Sequence, residues 1–130
     1  MTITTTIDFT KLDGLVPAVI QDADTRRVLM VGFMNDEALE ATTRTGRVTF
    51  YSRSKQRLWT KGESSGHTLD VVEMAVDCDA DSVLVTVRPA GPGVCHEGYE
   101  SCFFRSASDG RWTVTDERSF VPSDVYGGAR

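Results

Sequence analysis

Three aspartates alternate with other residues in the segment Asp77-Cys-Asp-Ala-Asp81. Like charges this close together raise the cost of ionising each carboxyl group unless a cation neutralises them. Hard divalent cations such as Mg²⁺ and Ca²⁺ prefer oxygen ligands, so Asp77, Asp79 and Asp81 are predicted to hold one. A solvated acidic turn between two strands is the alternative. An EF-hand is excluded, because Ser82 and Arg88 stand where that motif needs Gly and Glu.

The cysteines indicate a second and softer metal site. Cys78 lies within the acidic segment, and Cys95 and Cys102 bracket a polar loop that contains glycine. Alternate side chains of an extended segment point to opposite faces, so Cys78 is expected to face away from its aspartate neighbours. Because thiolates select Zn²⁺ and carboxylates select harder ions, we predict two distinct metal sites. A disulfide or two unrelated buried thiols are the alternatives for Cys95 and Cys102, although an odd cysteine count disfavours bridging.

The number of sulfur ligands indicates the kind of zinc site. A closed structural site has four protein ligands, whereas catalytic sites commonly have three and leave a position for water. His96 adjoins Cys95, which makes shared tetrahedral coordination awkward, so three cysteines and one water are the preferred interpretation. Such a water has a pKa of about 7 in known cases and supplies hydroxide, which predicts hydrolysis of an electrophilic carbon. A closed site completed by His96, in a structural or binding module, is the non-enzymatic alternative.

A third motif runs from Trp59 to His67 with the sequence Trp-Thr-Lys-Gly-Glu-Ser-Ser-Gly-His. Its glycines and serines offer backbone N–H and hydroxyl donors, and Lys61 adds the positive charge that suits a phosphate. Further basic residues precede it at Arg53, Lys55 and Arg57. The motif is neither a P-loop nor a dinucleotide-binding fingerprint, and a plain solvent-exposed loop is the alternative.

The hydrophobic pattern and the turn residues predict the helix and strands that position these motifs. A hairpin is predicted over 16–20 and 27–33, and a helix from an N-cap at Asn35 to a terminating Gly46. Further strands are expected at 48–52, 56–60, 71–77 and 82–88, and a last hairpin pairs 102–105 with 112–115. The predicted fold class is α+β, a mainly antiparallel, folded or partly closed sheet with one or two short helices. One domain is expected over 1–120, followed by an extended C-terminal tail over 121–130.

Composition excludes several classes of partner. The chain has 130 residues, with 14 basic and 19 acidic side chains and a net charge of −5, which argues against nucleic-acid binding. No apolar run approaches the roughly 20 residues that cross a bilayer, so no membrane partner is expected. The N-terminal residues lack the pattern of a signal peptide, which makes the cytoplasm the expected compartment.

Taken together, five ordered segments resemble the phosphoribosyl-AMP cyclohydrolase family of histidine biosynthesis. They cover residues 31–39, 49–53, 59–67, 77–81 and 95–105, and the similarity spans about residues 13 to 106. The resemblance implies a cytoplasmic, intertwined homodimer that depends on Zn²⁺ and Mg²⁺. It further implies hydrolysis of the N1–C6 bond of 1-(5-phosphoribosyl)-AMP, which opens the six-membered purine ring to a formimino aminoimidazole carboxamide ribotide. A zinc-dependent deaminase acting on a nucleotide is the alternative enzyme.

The resemblance also implies roles for individual residues. Cys78 of one subunit would share zinc with Cys95 and Cys102 of the other, and Asp77, Asp79 and Asp81 would hold Mg²⁺. His67 is placed by similarity as general base or proton shuttle, a role suited to an unperturbed imidazole. The implied substrate contacts are Trp59, Lys61, Glu63, Ser64, Ser65 and Arg105.

Overall fold

The computed structural model describes residues 3–126. Three helices and eight strands follow one another along this part of the chain. Their order is α1 (Ile3–Thr6), β1 (Val16–Asp22), β2 (Val28–Met34), α2 (Asp36–Thr45), β3 (Thr49–Ser52), β4 (Arg57–Thr60), β5 (Leu69–Val76), β6 (Val83–Pro89), β7 (Arg105–Ser108), β8 (Arg111–Val114) and α3 (Pro122–Tyr126).

A four-stranded sheet in the order β2-β1-β6-β5 carries most of the core. Strand β1 pairs antiparallel with β2 and parallel with β6, and β5 pairs antiparallel with β6. Alternate residues of a strand share one face, so Ala18 and Ile20 of β1 are fully buried with Val85 and Val87 of β6. The predicted α+β class with a mainly antiparallel sheet is confirmed.

Helix α2 forms where the capping residues predict it. The Asn35 side chain accepts a hydrogen bond from the Ala38 N–H at 2.8 Å, and Gly46 ends the helix with a left-handed φ of 75°. On the buried face, the Thr42 hydroxyl donates to the Ala38 carbonyl at 2.8 Å and accepts from the Thr49 N–H at 3.0 Å. The bond with Thr49 joins the helix to the start of β3.

Strands β3 and β4 form a hairpin that packs its aromatic face on the main sheet. Phe50 lies opposite Trp59, and their ring centroids are 5.2 Å apart. Gly32 of β2 lies directly under Phe50, since a Cβ built there would come within 2.4 Å of the ring. Side-chain bulk at position 32 would therefore displace the hairpin that carries Trp59.

The segment after β6 is held against β2 by its backbone. The Cys102 N–H donates to the Leu29 carbonyl at 2.7 Å, and the buried Ser101 hydroxyl donates to the Val28 carbonyl at 2.8 Å. The strand predicted from Cys102 therefore begins only at Arg105, because the Cys102 N–H is already bonded to β2. The hairpin of β7 and β8 that follows is exposed throughout.

Two further expectations are corrected. The alternation of Val72, Met74 and Val76 with Glu73 and Asp77 predicts one apolar face for this strand. A bulge instead interrupts β5 between Val71 and Glu73, and Val72 and Val76 are 45% and 44% exposed. The extended C-terminal tail is wrong for Pro122–Tyr126, which forms a short helix, whereas residues 127–130 lie outside the described part. Across residues 3–126, no helix is both long enough and apolar enough to span a membrane.

Candidate functional site

A cleft of about 380 Å³ opens beside the β3–β4 hairpin and the turn that follows it. Its walls combine the Trp59 ring with three cationic side chains and several hydroxyl groups. These polar residues are Ser52, Lys55, Arg57, Lys61, Ser64 and Ser65. Ammonium, guanidinium and hydroxyl donors around one cleft are what a phosphate ester requires.

Five of the six predicted substrate contacts line this cleft: Trp59, Lys61, Glu63, Ser64 and Ser65. Arg105 does not. It lies in a separate depression with Cys102, Phe103 and Trp112, at the start of the exposed β7–β8 hairpin.

The turn over residues 60–67 is built around Gly62. The Glu63 N–H donates to the Thr60 carbonyl at 3.0 Å, and the Gly66 N–H donates to the Gly62 carbonyl at 2.7 Å. Gly62 has a left-handed φ of 88°, and a Cβ there would lie 2.4 Å from the backbone carbonyl carbon of His67. Only glycine combines this conformation with this close approach, so Gly62 determines the path of the cleft wall.

Glu63 is engaged with the protein itself. Its carboxylate lies 3.4 Å from the Arg57 guanidinium and 3.4 Å from the Thr60 N–H. Both Glu63 and Arg57 are about half exposed, so this pair orients Arg57 in the cleft wall more than it stabilises the fold.

The His67 imidazole lies behind the same turn. Its Nδ1 is buried and has no hydrogen-bond partner among the residues that the structure describes. The Phe120 ring meets it edge-on at 5.1 Å, and a Cβ at Gly91 would come within 2.4 Å of the ring. Buried polar atoms are normally hydrogen-bonded, so an unpartnered buried nitrogen is unusual and makes His67 a candidate functional residue.

Cys95 and Cys102 are brought together with Lys61. The Cys102 residue is exposed, but its thiol is partly covered by protein atoms; this partial burial raises the pKa of the thiol to about 11, and the neighbouring Cys95 adds to the effect. Burial also lowers the pKa of Lys61, against the opposing influence of both cysteines. Two thiols beside an ammonium group, with His96 in the wall of the adjacent cleft, are donors suited to a soft metal next to a phosphate site.

The third cysteine, Cys78, does not lie with Cys95 and Cys102. Cys78 is exposed in the loop between β5 and β6. In residues 3–126, only Asp77, Asp79 and Asp81 bring three or more potential ligand atoms within 4.8 Å of one another. One chain therefore gathers the three carboxylates but not the three thiols.

Lys11 reaches the acidic loop from the N-terminal segment. Its ammonium lies 2.9 Å from Asp81 and 3.2 Å from Asp79, and these carboxylates raise the pKa of Lys11 well above its usual range. Nearby, the Asp8 N–H donates to the Ala80 carbonyl at 2.7 Å. The N-terminal segment thus places a tethered cation on two of the predicted magnesium ligands.

Asp77 is held from within the loop. It accepts the Ser82 hydroxyl at 2.7 Å and the N–H groups of Asp81 and Ser82 at 3.0 and 3.1 Å. These hydrogen bonds favour the carboxylate and lower the pKa of Asp77.

Sequence reasoning missed three residues that contact the predicted site: Lys11, Gly91 and Phe120. Lys11 is 70 positions from Asp81, and Phe120 is far from His67 in the chain, so no local spacing could have revealed either contact. The Pro-Ala-Gly-Pro-Gly run at 89–93 predicts the end of a strand, but nothing in it indicates that Gly91 leaves the space for the imidazole.

Comparison with known proteins finds matches over most of the chain. The family model described as phosphoribosyl-AMP cyclohydrolase matches residues 30–104. The chain is 61% identical over 122 residues to the phosphoribosyl-AMP cyclohydrolase of Solibacter usitatus, covering 94% of this chain and 97% of that protein. The chain belongs to the phosphoribosyl-AMP cyclohydrolase family. The resemblance stated from the five sequence segments is therefore confirmed.

Two further relatives differ in how much of their own length this chain covers. The phosphoribosyl-AMP cyclohydrolase of Geobacter sulfurreducens is 49% identical over 121 residues, covering 93% of this chain and 97% of that protein. A histidine biosynthesis bifunctional protein of Xylella fastidiosa is 63% identical over 126 residues, covering 92% of this chain but only 60% of that protein. The matched family region includes the acidic loop and all three cysteines, whereas Lys11, Arg105 and Phe120 lie outside it.

Proposed function

We propose that the protein hydrolyses the N1–C6 bond of the purine ring of 1-(5-phosphoribosyl)-AMP. The product is the formimino aminoimidazole carboxamide ribotide of histidine biosynthesis, and the enzyme acts in the cytoplasm as a homodimer with Zn²⁺ and Mg²⁺. The observation that carries this proposal is the 61% identity to a phosphoribosyl-AMP cyclohydrolase over 94% of the chain. The phosphate-suited cleft beside two thiols supports it independently.

The donor set fits the implied zinc ion. Cys95 lies close enough to Cys102 to raise the pKa of its thiol, and sulfur is the ligand type that zinc prefers in such sites. When bound, zinc lowers the pKa of a coordinated water and so supplies a nucleophile at neutral pH. Cys95 and Cys102 would hold the ion, and Lys61 beside them would favour both thiolates.

The cleft residues have distinct roles in binding the nucleotide. Lys55, Arg57 and Lys61 provide positive charge for phosphate, and Ser64 and Ser65 provide hydroxyl donors. The half-buried Trp59 ring offers an aromatic face to a purine. Glu63 keeps Arg57 in the wall.

His67 is proposed to transfer protons during ring opening. Its buried Nδ1 has no partner in the described residues, and an imidazole ring can both accept and donate a proton through its two nitrogens. In this role it would accept a proton from the attacking water and return one to the departing ring nitrogen N1.

The acidic loop fits Mg²⁺ as a hard cation with oxygen ligands. The carboxylates of Asp77, Asp79 and Asp81 offer oxygens within 4.8 Å of one another. Lys11 already neutralises part of this charge, so a divalent cation would have to compete with it for Asp79 and Asp81.

A homodimer is proposed because the thiol pair lacks a third sulfur in its own chain. Cys78 is exposed, and in residues 3–126 it does not cluster with Cys95 and Cys102. An exposed thiol at a loop is accessible to a second subunit, and a two-fold assembly would complete two equivalent sites at once.

The product distinguishes this function from its rivals. Ultraviolet spectroscopy of 1-(5-phosphoribosyl)-AMP should show ring opening without release of ammonia, and a chelator should stop the reaction until zinc is restored. Ammonia release would identify a deaminase instead. Full turnover by a protein that is zinc-free by elemental analysis would refute the zinc-dependent mechanism.

Mixing two inactive variants tests the shared site. Cys78→Ser and Cys102→Ser proteins are each expected to be inactive. If the ligands are shared, a reassociated mixture contains heterodimers with one intact site and recovers about a quarter of wild-type activity. No recovery, despite heterodimers seen by native mass spectrometry, would show that each site lies within one chain.

A further inference from the structure

The segment over residues 118–120 is bound to the loop that carries Cys95. The Arg118 Nε donates to the Glu97 carbonyl at 2.8 Å, and the Ser119 N–H donates to the Gly98 carbonyl at 2.7 Å. The Ser119 hydroxyl donates to the Pro92 carbonyl at 2.9 Å. Backbone and side-chain bonds on successive residues fix the path of this segment along the loop.

Glycines in the loop permit this close approach. A Cβ at Gly98 would lie 2.5 Å from the Phe120 carbonyl oxygen, and one at Gly93 would lie 2.8 Å from the Ser119 hydroxyl. Gly98 also has a left-handed φ of 98°. The two glycines therefore leave the room in which residues 118–120 approach the loop, and the Arg118 guanidinium lies over the Tyr99 ring, 5.4 Å from its centroid.

This path brings the Phe120 ring to the His67 imidazole. The ring centroids are 5.1 Å apart and the planes meet at 88°, the edge-to-face arrangement that aromatic pairs favour. Gly91 leaves no free space on its own side of the ring, since a Cβ there would overlap the imidazole. The imidazole is thus confined between Phe120 and the backbone at Gly91.

We propose that Phe120 is a positioning residue for His67. Residues 118–120 hold the imidazole in a constant position relative to the loop that carries Cys95. This inference rests on the proton-transfer role of His67 in the proposed function. Phe120 need not touch the substrate or any metal. It restricts the imidazole to one orientation, so that the ring keeps a constant placement relative to the thiol-bearing loop.

Packing, and not a hydrogen bond at Nδ1, holds the orientation of the His67 ring. The His67 Nδ1 makes no hydrogen bond with the described residues, so no polar partner at this nitrogen fixes the orientation of the ring. Packing against Phe120 and Gly91 must supply that restraint instead. A misplacement of about 1 Å in a reacting group can reduce a rate about a hundredfold. Removal of the Phe120 ring is therefore expected to affect turnover more than folding.

The test compares Phe120→Ala and Phe120→Leu with Val121→Ala, an adjacent and 56% exposed residue. The chain has only two histidines, so the His67 ring signals can be assigned by NMR with a His96→Asn variant. Phe120→Ala is expected to shift and broaden the His67 signals and to lower kcat about tenfold to a hundredfold with little change in KM. Phe120→Leu should be intermediate, and Val121→Ala should match wild type.

Several outcomes would overturn the inference. One is a loss of kcat in Phe120→Ala with unchanged His67 signals, and another is altered signals with wild-type kcat. An equal loss of kcat in Val121→Ala would show that both substitutions act by general destabilisation. If Phe120→Ala does not fold, Phe120→Leu retains apolar volume and is judged by the same two measurements. Wild-type turnover by His67→Asn would refute the proposed role of His67 itself, whereas the NMR comparison reports separately on whether Phe120 orients the ring.

Discussion

Replacing Gly62 with alanine should destabilise the protein by an amount that the structure divides into two parts. The left-handed φ of 88° costs a residue with a Cβ about 1–2 kcal/mol. The new Cβ would also lie 2.4 Å from two backbone atoms of the His67–Thr68 peptide, well inside the normal contact distance of roughly 3.5–4.0 Å. Backbone cannot rotate aside as a side chain can, and overpacking of this kind costs about 1–3 kcal/mol.

Gly46→Ala is the matched control for this substitution. Gly46 has a left-handed φ of 75°, but a Cβ there meets nothing within 4 Å. Gly46→Ala should therefore lose only the conformational part, and Gly62→Ala should lose about 2–5 kcal/mol in all. Urea unfolding followed by circular dichroism measures both. Because the Gly62 turn carries Ser64 and Ser65, calorimetric titration with AMP should also show weaker binding by Gly62→Ala alone.

Equal free energies of unfolding for Gly62→Ala and Gly46→Ala would contradict this prediction. That result would mean that the overlap at Gly62 is relieved without cost and that the turn tolerates a shift of the His67–Thr68 peptide. Equal AMP affinity in Gly62→Ala and wild type would separately refute the conclusion that Gly62 determines the shape of the cleft wall.

Three further predictions follow from individual contacts. Gly91→Ala should displace the His67 imidazole and lower kcat about a hundredfold. In a His67→Asn background the same change should lower kcat no further. An additional loss in that background would show that Gly91 does not act through His67. Lys11→Met should tighten Mg²⁺ binding in calorimetry, because the ammonium occupies the same carboxylates; weaker binding would contradict competition. In the metal-free protein, burial raises the pKa of Cys102 from 9.0 to about 11, so the folded state keeps a proton that the unfolded state releases. The free energy of unfolding should fall as pH rises through that range, and Cys102→Ala should reduce this slope.

Local structure was largely predictable because its causes are local. The Asn35 cap and the left-handed Gly46 delimit helix α2 within a single stretch of sequence, and the structure ends the helix at those positions. The strong apolar pattern at 82–88 likewise predicted a strand, and the structure has β6 there, between β1 and β5 in the sheet. In each case the residues that decide the element lie within it or next to it.

Predictions failed where a distant partner overrode the local pattern. The N–H of Cys102 bonds to Leu29, so the backbone at Cys102 follows β2 and the β7 strand begins three residues later. In β5, the bulge at Val72 changes which residues face the core, although the apolar alternation of the sequence continues through it. Neither the sheet partner nor the bulge is visible in the local sequence.

The same division applies to the site. By itself, the sequence determined the chemical types of the donors: alternating carboxylates at 77–81, three thiols, and a glycine- and serine-rich turn with Lys61. These follow from side-chain chemistry and short spacing. Tertiary structure alone decided that Cys95 and Cys102 meet beside Lys61 while Cys78 does not, that Lys11 neutralises the acidic loop, and that Phe120 confines His67. Such contacts join residues tens of positions apart, and only the packing of the whole chain brings them within reach of one another.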